Sequence, residues 1–255
     1  MVVGGGPAGL ETAYVAAQRG HQVTVFEKRD KLGGQLQHAS KEIDGGWVWP
    51  RLVNYYQAVL KKHGVEIKLN TDVTREVCEQ FNPDVVVVAT GASLGRNSYP
   101  KHVLNAYEAM EDKFEIGQRV VVLGGERMGL VCAEWLAALG KNVTIIERGK
   151  KVGEDVIPTF KWRHAAWVKE YGIDVITSAT VKEIRADAVV ITDAEGKERT
   201  LEADTIINAG KRESRQELIN ALEFSADEQY VVGDAVHPRA AHNAIRDGHL
   251  IGLKI

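Results

Sequence analysis

Between Asp84 and Thr90 the chain runs Val85-Val86-Val87-Val88-Ala89 with no polar residue. That is the pattern of a parallel strand covered on both faces. Shorter apolar runs recur: Val23-Thr24-Val25-Phe26-Glu27, residues 64–70, Val143-Thr144-Ile145-Ile146-Glu147, residues 173–178, 180–184, 188–192 and 205–209, and Tyr230-Val231-Val232-Gly233-Asp234. Their length, β-branched content and flanking turns, such as Ala194-Glu195-Gly196, predict strands. Helix-forming stretches lie at 10–19 and 130–139, stopped by Gly20 and Gly140 in the C-cap position. A last helix is expected from about Arg239. Strands alternating with helices predict an α/β fold with parallel sheets. The strand before the first glycines is only Met1-Val2-Val3, and residues 250–255 stop inside an apolar helical pattern. Both ends therefore lead us to expect a piece of a longer protein.

The chain also repeats itself at an offset of 120 residues. Residues 2–28 align without a gap on residues 122–148, and eleven of the 27 positions are identical. The matched residues include Gly4, Gly5, Gly9, Leu10, Gly20 and Glu27 in the first copy, and Gly124, Gly125, Gly129, Leu130, Gly140 and Glu147 in the second. Each copy reads strand, glycine turn, helix, glycine stop, second strand, acid. This is the opening βαβ of a dinucleotide fold, with an acid placed where an adenosine ribose would lie. The two copies predict two Rossmann-like domains, the second inserted in the first: residues 1–103 and 213–255 around residues 104–212.

Composition adds exclusions. A hydrophobic fraction of 44% and a charged fraction of 26% are those of an ordinary globular chain. A net charge of -3 gives no reason to expect nucleic acid or an anionic membrane as partner. No apolar run approaches the roughly 20 residues of a membrane span, and no secretory signal is visible. Cys78 and Cys132 have no local partner, which excludes a CxxC-type redox disulfide and leads us to expect a reducing, cytoplasmic setting.

Five motifs stand in a fixed order: Gly4-x-Gly6-x-x-Gly9 with Glu27, Leu32-Gly33-Gly34-Gln35, Ala89-Thr90-Gly91, the second glycine turn at Gly124, and Gly233-Asp234. Together they resemble the FAD/NAD(P)-dependent superfamily of glutathione and thioredoxin reductases. The words Gly6-Pro7-Ala8-Gly9-Leu10-Glu11, Lys31-Leu32-Gly33-Gly34-Gln35-Leu36 and Gly233-Asp234-Ala235-Val236-His237-Pro238-Arg239 are similar to the C-terminal module of the 2,4-dienoyl-CoA reductase and trimethylamine dehydrogenase (NADH:flavin oxidoreductase) family. The resemblance implies an FAD site made by Gly4, Gly6, Pro7, Ala8, Gly9, Glu27, Lys28, Gly34, Gln35, Leu36, Val73, Ala89, Thr90, Gly91, Gly233 and Asp234. In it Asp234 would take the ribityl hydroxyls, and the helix after Pro238 would face the flavin. It implies a nicotinamide-nucleotide site made by Gly124, Gly125, Glu126, Arg127, Glu147 and Gly210. It also implies an upstream TIM barrel with FMN and a 4Fe-4S cluster, and passage of electrons from NADH through FAD toward that barrel. Two alternatives stay open: a non-catalytic appendage holding ADP in the FAD site, and a free-standing flavoprotein reductase for a protein partner.

The second copy departs from its own rule, because Glu126 stands where the first has Gly6. A carboxylate there adds negative charge beside a pyrophosphate. Unit like charges ~4 Å apart repel by roughly 4 kcal/mol at an effective dielectric of about 20. Weak NADH binding is expected, with NADPH weaker because Glu147 would face its extra phosphate. Arg127 is the neighbouring residue able to compensate. Trp47 and Trp49, in Gly45-Gly46-Trp47-Val48-Trp49-Pro50, read as an aromatic loop.

Overall fold

A computed structural model describes residues 1–95, 99–111, 113–223 and 225–255. The chain forms two compact units: Met1–Ser40, Trp47–Ser93 and Arg212–Ile255 in the first, Lys41–Gly46 and Leu94–Lys211 in the second. Both are α/β and Rossmann-like, as expected.

In the first unit five parallel strands lie in the order Glu228–Val231, Val85–Val88, Val2–Val3, Thr24–Phe26, Glu66–Lys68. The all-valine strand is next to the centre, and its side chains alternate between two cores. Val87 joins Val2 and Val25 under the helices Pro7–Gln18 and Val48–Lys62, while Val86 and Val88 join Val3, Phe26 and Cys78 on the other face. A strand buried on both faces gains nothing from polar residues, which explains the unbroken run. The C-terminal helix Ala241–Lys254 lies against Pro7–Gln18 through a stripe of small residues, Ala244, Gly248 and Gly252. A Cβ on Gly248 would stand 2.2 Å from the Ala8 carbonyl oxygen, so only glycine permits this approach.

The second unit repeats the plan with Leu104–Asn105, Thr205–Asn208, Arg119–Leu123, Asn142–Ile146 and Asp174–Ile176, again parallel. Register repeats too. Val2 pairs with Val25 and Val87, and Val122 pairs with Ile145 and Ile207, each shifted by 120 residues. One face carries the helices Arg127–Ala138 and Pro158–Glu170. The other is covered by an antiparallel sheet of Thr180–Ile184, Ala188–Thr192 and Glu198–Glu202, which contributes Val189 and Ile191 to the core. The third of those strands has no alternating apolar pattern, and sequence reasoning missed it.

One expectation is corrected. Trp47 and Trp49 are not in a loop: Trp47 is the N-cap of Val48–Lys62, and Trp49 lies in its first turn. Pro50 is tolerated there because the first-turn N–H groups have no helical acceptor. Trp49 packs against the first unit's core, and Trp47 stays 62% exposed. Among the described residues no helix is long and apolar enough to cross a membrane.

Candidate functional site

The first glycine turn is built from the sheet outward. Gly4 donates its N–H to the Phe26 carbonyl at 2.8 Å, continuing the ladder one residue past Val3. Gly9 then packs on it so closely that a Cβ would lie 2.0 Å from the Gly4 carbonyl oxygen. Gly6 is different. Its φ of -80° and ψ of 177° suit any residue, and a Cβ there would meet nothing within 4 Å. Glycine is not needed at this position for folding. The open space lies at the N-terminus of Pro7–Gln18, where the amides of Ala8 and Gly9 have no helical acceptor and the dipole favours an anion. Gly34 closes one side, its Cβ direction 3.1 Å from the Gly6 Cα. These are the features a dinucleotide pyrophosphate requires, so the residues present fit FAD.

Glu27 is 7% exposed and ties the turn together. One carboxylate oxygen accepts from the Gly5 N–H at 2.8 Å, the other from the Arg29 N–H at 2.9 Å. Each oxygen keeps a second lone pair for a ribose hydroxyl. Gly5 and the Arg29 amide were not anticipated as parts of the site. Lys28 points outward to Asp72 at 3.2 Å. Leu36 and Val73 are buried in the cores, so only their backbones can face a cofactor. Ala89 packs beside Gly9, and the Thr90-Gly91 turn is held by Arg215, which donates its N–H to the Gly91 carbonyl at 3.0 Å and accepts from the Thr90 hydroxyl at 3.3 Å.

Gln35 and Asp234, 199 residues apart, are brought into direct contact at 3.1 Å. Gly233, in the left-handed region at φ 65°, starts the short turn Gly233–Ala235 that presents Asp234. Arg212 joins them: its guanidinium donates to Asp234 at 2.8 Å, to the Gln35 side-chain oxygen at 2.9 Å and to the Arg239 carbonyl at 3.1 Å. The Arg239 N–H donates to the other Asp234 oxygen at 2.9 Å. Asp234 therefore accepts three bonds within the protein and keeps capacity for about one more, narrower than the expected grip on several hydroxyls. Arg212 escaped sequence reasoning. The available signal was a basic pair, Lys211-Arg212, directly after the strand Thr205–Asn208 and its Gly210 turn.

The second turn copies the first bond for bond. Gly124 donates to Ile146 at 2.8 Å, and the Glu147 carboxylate accepts from Gly125 at 2.7 Å and from Gly149 at 2.6 Å. Gly153 donates to the Gly125 carbonyl at 2.7 Å, as Gly33 does to Gly5 at 2.8 Å. The Gly210 N–H donates to the Asn208 side chain at 2.9 Å. This gapless equivalence extends to Leu36 and Val156, and it exposes two further departures. Glu154 takes the place of Gly34, and Asp155 that of Gln35. Glu126 is exposed at the N-cap of Arg127–Ala138, with φ -70° and ψ 178°. Asp155 accepts from the Arg127 N–H at 2.7 Å, and the Arg127 guanidinium meets Glu42 at 3.4 Å. Where the first copy is neutral, the second carries three carboxylates.

Neither thiol is poised for redox work. Burial pushes Cys132 up to about 12 and raises Cys78 as well, so both are protonated near neutral pH. His164, fully covered, contacts the Glu134 carboxylate at 2.8 Å; burial raises the Glu134 pKa while that hydrogen bond opposes the rise.

The family description pyridine nucleotide-disulphide oxidoreductase matches residues 1–248. The chain is 32% identical to the NADH oxidase of Thermoanaerobacter brockii over all of its own length and 40% of that protein. It is 30% identical to the metal reductase of Desulforamulus reducens, covering 43% of it. Among solved structures, a 2-naphthoyl-CoA reductase complex aligns with a TM-score of 0.96 at 36% identity, covering all of this chain and 39% of that one. The chain thus spans about 40% of the length of these relatives, and the likeness bears out the resemblance of its motif words to the C-terminal part of 2,4-dienoyl-CoA reductase- and trimethylamine dehydrogenase-like proteins. The chain belongs to the pyridine nucleotide-disulphide oxidoreductase family, as a flavin-dependent pyridine-nucleotide oxidoreductase module.

Proposed function

We propose that the first unit holds FAD and the second takes NADH weakly, and that the module serves a larger cytoplasmic enzyme with an upstream TIM barrel bearing FMN and a 4Fe-4S cluster. The observation that carries this reading is the duplicated turn, open and neutral at Gly6 but bearing an exposed glutamate, Glu126, at the equivalent position. When bound, FAD supplies the two-electron acceptor that neither buried thiol can replace. The protein's part is to hold it. Gly4, Gly6, Gly9 and Gly34 admit the pyrophosphate to the amides of Ala8 and Gly9, and Glu27 accepts from the ribose. Gln35, Arg212 and Asp234 form a polar clasp that fixes the ribityl end, with Pro7, Ala89, Thr90, Gly91 and Gly233 shaping the backbone around it. In the second unit Gly124, Gly125 and Gly210 form the corresponding turn, and Glu147 receives the ribose of NADH.

The purified chain, stripped of nucleotide and titrated with FAD, should load close to one flavin per chain and turn yellow. A protein that takes up ADP and refuses FAD overturns the reading in favour of a nucleotide-holding appendage. Glu27→Ala should weaken FAD binding by about ten- to a hundredfold, since hydrogen bonds to a charged acceptor are worth about 1.5–3 kcal/mol. Because Gly5 and Arg29 also lose their acceptor, the melting temperature without flavin should fall as well. Unaltered FAD affinity in this variant would move the ribose elsewhere.

A further inference from the structure

In sequence the segment Lys41–Gly46 follows a short helix of the first unit, Leu36–Ala39, yet it is part of the second compact unit. Three of its side chains fasten it there. The Lys41 ammonium lies 4.8 Å from the centroid of the Trp135 ring. Glu42 pairs with Arg127 at 3.4 Å and is itself only 10% exposed. Asp44 pairs with Arg163, which also donates to the Asp44 carbonyl at 3.5 Å. The middle tie stands out chemically. Arg127 is the first residue of Arg127–Ala138, directly after Glu126, at the end of the helix where the duplicated turn would receive a pyrophosphate. In the first copy that position is Pro7, which has no charge and no N–H to satisfy.

The charge balance around this turn is unfavourable to an anion. Asp155 accepts from the Arg127 N–H and Glu42 pairs with its guanidinium, while Glu126 and Glu154 are further acids of the same turn in sequence. A guanidinium already engaged by a carboxylate offers a second anion only part of its fork and little net charge. We propose that Glu42, carried on the Lys41–Gly46 strap, competes with the pyridine-nucleotide pyrophosphate for Arg127 and thereby sets the affinity of the second site. This rests on the reading of that unit as a nucleotide site and deepens it: Glu126 accounts for a fixed repulsion, whereas the hold of Glu42 on Arg127 is reversible. Competition of this kind is strongest at low ionic strength, because both contestants act through charge on a partly exposed side chain.

The test uses the full chain loaded with FAD and reads NADH affinity as the half-saturation of flavin bleaching by stopped flow, at low and high salt. Glu42→Gln keeps the shape of the side chain and leaves the Lys41 and Asp44 ties in place. It should tighten NADH about tenfold at low salt and less at high salt. Arg127→Gln should weaken NADH, and adding Glu42→Gln to it should then change nothing. Equal NADH affinity in the parent and Glu42→Gln overturns the proposal. So does an undiminished gain in the Arg127→Gln background, which would mean that Glu42 acts on the ligand directly. If NADH fails to bind in every variant, Glu126→Gly included, the nucleotide reading of the unit falls and the proposal falls with it.

Discussion

Gly6→Glu should leave the fold intact and abolish FAD retention. The backbone at Gly6 has φ -80° and ψ 177°, and the equivalent Glu126 sits at φ -70° and ψ 178°, so the protein already shows that this conformation accepts a glutamate. Space is available as well, since nothing lies within 4 Å of the Cβ direction. Stability without flavin should therefore change by less than about 1 kcal/mol, the scale of an N-cap substitution. On the proposed reading the same open space receives the FAD pyrophosphate. A carboxylate about 4 Å from one phosphate charge costs roughly 4 kcal/mol at an effective dielectric of about 20, near a thousandfold in affinity, and the side chain also fills the volume. Flavin titration of the stripped variant, beside its thermal melt, separates the two effects. FAD binding at the parent's affinity would mean that the cofactor does not approach Gly6.

The reverse exchange in the second unit, Glu126→Gly, should tighten NADH by one to three orders of magnitude, the repulsion of roughly 4 kcal/mol being reduced by solvent screening. Glu154 and Asp155 remain beside the turn, which places the expected gain toward the lower end. Glycine is a tolerated N-cap, so the helix Arg127–Ala138 should persist. Stopped-flow bleaching of bound FAD against NADH concentration reads the change as a lower half-saturation. NADPH should remain the poorer donor, because Glu147 holds its carboxylate at the ribose end, fixed by Gly125 and Gly149. Tight, fast reduction by NADH in the parent with no gain in the variant would show that Glu126 points away from the nucleotide. A preference for NADPH would overturn the role given to Glu147.

The two glycine turns, their helices and the acids Glu27 and Glu147 were legible in the sequence because each need is local. A tight turn with a close backbone approach tolerates only glycine at fixed spacing, and a strand buried on both faces tolerates only apolar residues. Gly6 sharpens the point. Its freedom from contacts shows that the fold does not require glycine there, whereas the exchange for Glu126 is visible in the sequence itself. The helix Val48–Lys62 was less legible. Its opening tryptophans and Pro50 resemble a loop until the packing of Trp49 on the core is known.

The sequence by itself determined the duplicated α/β plan, the position of both glycine turns and the contrast between a neutral turn at Gly6 and an acidic one at Glu126. Tertiary structure alone decided which side chains complete them. The clasp of Arg212, Gln35 and Asp234 joins residues up to 199 apart, and the tie from Glu42 to Arg127 spans 85. Hydrogen bonds and ion pairs between such distant groups leave no periodicity or spacing along the chain, because their partners are chosen by the register of the sheets and the path of the chain over them. That is why Arg127 reads in sequence as a free compensating charge and in space as one already shared.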